Sequence, residues 1–145
     1  MKFYLAGPIH AKEDGGKKWR DWITPRLRNM GHDVLNPLDK YNGKELEENK
    51  KNLELFEKDK TAFQRKGKRI IKTDLAMVKD CDAVLAIYRP DLDTFGTVSE
   101  IFEASWHLKK PTYIICDGSK NLWMNSLATK IFKTLPEFLE FLDSM

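Results

Sequence analysis

Glu100 and Asp74 are the two acidic residues whose surroundings could do chemistry, and each also has a plainer reading. Glu100 closes the run Asp91-Leu92-Asp93-Thr94-Phe95-Gly96-Thr97-Val98-Ser99-Glu100. Ahead of it stands Ala83-Val84-Leu85-Ala86-Ile87-Tyr88, an unbroken apolar stretch of strand length, of the kind buried on both faces in a parallel sheet. The strand ends near Arg89-Pro90, and a polar loop leads to Gly96-Thr97, where an amphipathic helix begins. A loop leaving the carboxyl end of a central parallel strand is where open α/β sheets bind ligands, so Glu100 faces that place. The plainer reading is a capping box, with Thr97 as N-cap and Glu100 reaching back to its backbone N–H. Asp74 reads equally as an acidic residue near a helix start, favoured by the helix dipole. Its helical row, however, contains Ile70, Met77 and Val78, so it borders an apolar face. Gly7-Pro8, after the first strand, is a tight turn or a point where a ligand approaches the backbone.

Other chemistries find little support. The three histidines, His10, His32 and His107, are scattered and read as surface or loop residues. Cys81 and Cys116 sit beside or inside predicted strands without CxxC or histidine spacing, which reads as buried free thiols. No P-loop, GxGxxG, HExxH or GxSxG is present, and no metal or cofactor is expected. A net charge of +3 does not by itself imply a nucleic-acid partner, and no stable one is expected. No apolar run approaches the roughly 20 residues that span a bilayer, and Met1-Lys2-Phe3-Tyr4-Leu5 enters a strand without a signal-peptide pattern, so a cytoplasmic protein is expected.

The elements that must position these residues follow from periodicity. With 145 residues, 41% hydrophobic and 32% charged, the chain fits one globular domain over 1–145. Lys2 to Ala6 is a first strand. Trp19, Trp22, Ile23, Leu27 and Met30 mark a helix within 15–30, with Gly31 as its C-cap. Asp33-Val34-Leu35 is a second strand, stopped by Asn36-Pro37. Residues 40–68 form a charged insert, read as a solvent-facing helix with Leu46, Leu53, Leu55, Phe56 and Phe63 as sparse apolar positions. Arg65, Lys66, Lys68, Arg69 and Lys72 make a basic cluster, either a solvated face or an attraction for an anionic molecule. Ile71, Leu75 and Val78 define a helix face ending at Asp80. Ile101, Phe102, Ala104, Ser105 and Leu108 continue the helix after the central strand. Thr112 to Cys116 is a fourth strand, 121–129 a loop or short helix, Lys130 to Phe132 a fifth strand and Leu135 to Leu142 a closing helix. Alternation of this kind makes a five-stranded parallel sheet with helices on both faces.

Four segments together resemble the nucleoside 2-deoxyribosyltransferases and the related nucleoside 5′-monophosphate N-glycosidases. They are Tyr4-Leu5-Ala6-Gly7-Pro8, Gly31-His32-Asp33-Val34-Leu35-Asn36-Pro37, Thr73-Asp74-Leu75 with Cys81-Asp82-Ala83-Val84-Leu85, and Gly96-Thr97-Val98-Ser99-Glu100. The resemblance covers nearly the whole chain outside the insert and implies a flavodoxin-like (Rossmann-like) fold. It also implies cleavage of an N-glycosidic bond, with Glu100 as the nucleophile that forms a glycosyl ester, Asp74 as the acid at the base and Tyr4 orienting the nucleophile. Water or a second base would resolve the ester. Gly7, Pro8, Ile9, His10, Asp93, Thr94, Gly96 and Thr97 are the expected substrate contacts. Asn121, supplied by a neighbouring subunit, would complete the pocket and make the protein a homodimer or higher homo-oligomer.

One position departs from the family pattern. Nucleoside-specific members carry Asp six residues before the nucleophile, whereas the monophosphate hydrolases carry a small hydroxyl residue. Here that position is Thr94, with Asp93 one residue earlier. Either the loop bulges so that Asp93 holds the sugar, or Thr94 leaves room for a phosphate. A non-catalytic nucleotide sensor on the same fold is the alternative, since a fold does not fix a function.

Overall fold

The strands form where apolar side chains alternate between two faces, and the chain threads them into one sheet. The computed structural model describes residues 1–9, 14 and 16–145. Strands β1 (Lys2–Ala6), β2 (Asp33–Leu35), β3 (Ala83–Ile87), β4 (Thr112–Ile115) and β5 (Lys130–Phe132) pair in parallel in the order β2-β1-β3-β4-β5. This is the doubly wound, flavodoxin-like order, with its switch point between β1 and β3. Tyr4 lies in register with Val84 across that pair.

Period-2 alternation divides the core into two layers. Phe3, Leu5, Ala83 and Leu85 face Trp19, Ile23 and Leu27 of α1 (Lys17–Asn29) and Phe138 and Leu142 of α6 (Leu135–Asp143). Tyr4, Ala6, Val84 and Ala86 face the opposite layer. There they meet Val78 of α3 (Lys60–Asp80), Ile101 of α4 (Phe95–Phe102), and Met124 and Leu127 of α5 (Leu122–Leu127). Cys81 and Cys116 are buried free thiols in that second layer. Gly31, at φ 86°, takes the left-handed conformation that follows a helix end, one residue past the Met30 cap.

The region expected to hold one inserted helix is built differently. A 3₁₀ turn (Pro37–Tyr41) is followed by α2 (Glu45–Lys58) and then, after a break at Asp59 only, by the 21-residue α3. The second half of the insert and the helix that carries Asp74 are therefore one continuous element. The polar stretch up to Lys72 contains no proline, and Gly67 costs only about 1 kcal/mol relative to alanine, too little to end a helix. Apolar spacing located the core-facing end but not the start. Ile71, expected on the buried face, is exposed, and that face is instead Asp74, Leu75, Met77 and Val78. The two helices clasp through Lys66 Nζ on Glu48 Oε2 (2.9 Å) and an edge-on contact of Phe56 with Phe63. At the far end of α3, Lys110 Nζ donates to the carbonyls of Val78, Lys79 and Cys81 and so caps the helix with a positive charge. Among the described residues no helix is long and apolar enough to cross a membrane.

Asp59 terminates α2 and caps α3, its Oδ1 accepting from the Ala62 N–H at 3.1 Å. Asp59→Ala should therefore cost about 1 kcal/mol. Hydrogen exchange should report the loss as faster amide exchange across both helices while β1 and β3 stay protected.

Candidate active site

Four elements deliver ionisable groups to the carboxyl end of β1 and β3, and a fifth supplies a cation from the 3₁₀ turn that opens the insert. Tyr4 comes from β1, Arg20 from α1, Lys40 from the 3₁₀ turn, Asp74 from the last two turns of α3 and Glu100 from α4. The 3₁₀ turn is set by Asn36, whose side-chain oxygen accepts from the Leu38 N–H at 3.0 Å, with Pro37 pre-shaping the backbone. Lys40 Nζ then contacts Asp74 Oδ1 in a pair that is 18% and 15% exposed, dry enough for the attraction to count.

Glu100 Oε2 and the Tyr4 hydroxyl are both buried and have no hydrogen-bond partner among the described residues. Trp19 Nε1 and Arg20 Nε share that condition at the same edge. Buried polar atoms are nearly always paired, so water or a bound ligand would satisfy these groups. Burial raises the Glu100 carboxyl from an ordinary 4.5 to about 7. The nearby Tyr4 hydroxyl opposes that rise without being in hydrogen-bonding geometry, Asp74 adds to it, and Arg20 and Lys40 oppose it. Burial and then the Glu100 and Asp74 charges push the Tyr4 phenol far above its usual range, so it stays a neutral donor.

The remaining expected contacts fall on both sides of this centre. Gly7 and Pro8 are buried and Ile9 half-buried beneath the turn after β1; a Cβ on Gly7 would fall 2.9 Å from the Trp19 ring. His10 lies outside the described residues. Thr94 stands at the N-cap position of α4 but makes no capping bond; Asp93, exposed, does so instead, its Oδ1 accepting from the Phe95 N–H at 3.2 Å. Gly96 is exposed, with open space where a Cβ would be. Thr97 is 4% exposed and lies inside α4, so the capping box is not formed: the N-cap position falls three residues earlier, at Thr94, and Glu100 turns toward Tyr4. Asp74 likewise lies far from the start of its helix, which removes the dipole reading. Asn121 caps α5, accepting from the Met124 N–H at 2.9 Å, and lines a groove of about 410 Å³ with Tyr88, Val98, Ser99 and Trp123. Two members of the site, Arg20 and Lys40, were not anticipated. Arg20 was legible in principle, because it shares the row of Ile23 and Leu27 at i, i+3 and i+7.

The model of the nucleoside 2-deoxyribosyltransferase family matches residues 3–135. The chain belongs to that family. Among solved structures, it is similar to the 2-deoxyribosyltransferase of Bacillus psychrosaccharolyticus at 22% identity and a TM-score of 0.68, over 96% of this chain and 90% of that one. It is also similar to the CMP N-glycosidase BcmB of Clostridium botulinum at 18% identity and a TM-score of 0.59, over 99% of each. No curated protein sequence matches. Both structural likenesses establish the flavodoxin-like fold, and the family match makes the chain an enzyme of the nucleoside 2-deoxyribosyltransferase kind.

Burying Glu100 has a price in stability whose sign is fixed by its raised proton affinity. The folded state holds the proton more tightly than the unfolded state, so stability falls as pH rises from about 4.5 to about 7, and the full penalty persists above that. Glu100→Gln should therefore unfold later than the parent in urea at pH 8, by up to about 3 kcal/mol, with the gap closing toward pH 4.5.

Proposed function

We propose that the protein cleaves the N-glycosidic bond of a nucleoside or nucleoside 5′-monophosphate through a covalent glycosyl-Glu100 intermediate. The observation that carries this is the buried, unpartnered Oε2 of Glu100 beside the Tyr4 hydroxyl, with the Asp74–Lys40 pair alongside. As the bond from C1′ to the base nitrogen breaks, its electron pair leaves with the base and the sugar becomes cationic. An oxygen of ionised Glu100 then bonds to C1′. The proton reaches the departing base through Asp74: the Lys40 ammonium in contact with Oδ1 gives a proton to the Asp74 carboxylate, which delivers it to the base nitrogen, and Lys40 is left as the neutral amine. Tyr4 steers the nucleophile by donating to the carboxylate oxygen that does not attack. Water or a second base displaces Glu100 from C1′ in the second half-reaction, giving hydrolysis or transfer.

Thr94 favours the monophosphate as substrate. Asp93 is already engaged in starting α4 and is turned to the Phe95 N–H, which leaves Thr94, rather than a carboxylate, at the position before the helix. A phosphate there meets the first turn of a helix, with a hydroxyl rather than a carboxylate at position 94. A homodimer completes the reading. Trp106, Leu122 and Trp123 are all more than 60% exposed and line, with Phe102 of the Glu100 helix, a groove of about 500 Å³, an apolar face that a second copy would cover. Asn121 sits at the end of that face and is the residue a partner would lend.

Incubation with a panel of nucleosides and their 5′-monophosphates should release free base in the parent and none in Glu100→Gln. A 2′-fluoro-arabinosyl substrate should leave its sugar on Glu100, read by mass spectrometry; an adduct elsewhere, or a fully active Gln variant, would overturn the assignment. Monophosphates should exceed nucleosides in kcat/KM at low salt, and Thr94→Asp should reverse that preference by about tenfold or more, since ~1.4 kcal/mol of repulsion is tenfold.

Subunit exchange tests the lent residue. Mixing the inactive variants Glu100→Ala and Asn121→Ala should restore part of the activity, because one site of each mixed dimer then holds both residues. Verified heterodimers without recovery would place Asn121 outside the partner's site.

A further inference from the structure

Arg20 is completely buried, a costly place for a charge, because an ion taken out of water loses several kcal/mol unless its surroundings replace the hydration. Its Nη1 donates to the Gly16 carbonyl at 2.8 Å, and its Nη2 donates to the carbonyls of Leu5 at 3.2 Å and Gly7 at 3.1 Å. One planar group thus ties the end of β1 and the turn after it to the residue that precedes α1. The packing leaves no slack there. The guanidinium carbon lies 4.7 Å from the centroid of the Trp19 ring, and that ring closes on Gly7. Gly16 has φ 78°, and a Cβ on it would stand 2.4 Å from the Pro8 carbonyl oxygen and 2.5 Å from Arg20 Nη1.

Three carbonyls could be satisfied by neutral donors, so the hydrogen bonds do not account for the charge. Its surroundings do. The groups that act on Glu100 are the Tyr4 hydroxyl from β1, Asp74 from α3, Lys40 from the 3₁₀ turn and Arg20 from α1, while Glu103, further along its own helix, is engaged with His107 at 2.8 Å. Lys40 is already in contact with Asp74, which leaves Arg20 as the cation not spent on that carboxylate. Burial draws the Arg20 guanidinium down to about 10, while Tyr4, Glu100 and Asp74 oppose the shift, so the arginine and the carboxyls support one another's charge.

We infer that Arg20 is a positioning residue for this site: its guanidinium fixes the turn between β1 and α1, and its positive charge backs the Glu100 carboxylate from behind the sheet edge. The inference rests on Glu100 being the reacting group, and its two parts separate by substitution. Arg20→Gln removes charge and fork together; Arg20→Lys keeps the charge and loses the fork.

The test follows the Glu100 carboxyl by ¹³C NMR in protein with glutamate labelled at Cδ, the resonance assigned by its loss in Glu100→Gln, without substrate. The midpoint should move up by about one pH unit in Arg20→Gln, at the lower end of what a neighbouring opposite charge gives, and stay within a few tenths of the parent in Arg20→Lys. Amide exchange at Gly7 and Gly16 should speed up at least tenfold in both variants. If Arg20→Gln does not fold, Arg20→Lys decides alone: parent-like exchange at both glycines, or a midpoint displaced as far as a unit, overturns the inference. Equal midpoints in all three proteins overturn it as well. A displaced midpoint in a protein whose Glu100→Gln variant still releases base would leave Arg20 in its role and remove Glu100 from the reaction, so the two failures are distinguishable.

Discussion

Desolvation of the Glu100 carboxyl is the constraint on which the carboxyl edge of the sheet depends. A carboxylate in water is stable and a poor nucleophile toward a sugar carbon, whereas one stripped of water is reactive and expensive. Around Glu100 the protein sets a neutral phenol, a second carboxylate and two cations. The combination holds the group near neutrality, at about 7, where both charge states are accessible. Too much positive charge would hold Glu100 as a permanent carboxylate, and too little would leave it protonated.

The scaffold is arranged so that no single element carries this burden. β1 contributes Tyr4 through one face while Arg20 reaches the same strand end from α1, on the other face of the sheet. α3 holds Asp74 near its C-terminus, which Lys110 pins from the segment ahead of β4. The parallel sheet gathers its strand ends at one edge, and the switch between β1 and β3 opens the gap into which these side chains project. Core packing fixes the strands; the side chains at the edge depend on electrostatics that only this packing makes strong.

Much of the fold was legible because its signals are local. Lys2–Ala6, Asp33–Leu35 and Lys130–Phe132 were bounded as observed, and the central run from Ala83 overshot by only Tyr88. The start of α3 was not legible, since a charged helix continuing from a charged insert has no apolar edge to mark it. The capping box misled for a related reason: Thr-Val-Ser-Glu suits a helix start, and only tertiary packing decides whether the glutamate bends back or turns inward. The carboxylates were singled out from type and position; of their cations only Arg20 left a trace, its place in the row of Ile23 and Leu27, and its neighbours obscured even that. Arg20 follows Lys17 and Lys18 and looks like surface, while Lys40 meets Asp74 across 34 residues of sequence.

That last contact has a topological meaning. The chain leaves the body of the protein after Lys40, runs out along α2, returns along α3 and rejoins the core at Asp74, so the Lys40–Asp74 pair is a clasp across the root of a long excursion. What lies beyond a clasp is free to vary. Closing a longer loop costs little more entropy than closing a short one, about 0.6 kcal/mol for each doubling. The helical pair beyond the root can therefore be lengthened, trimmed or given a new surface over evolutionary time, while the two residues that bracket it stay in place.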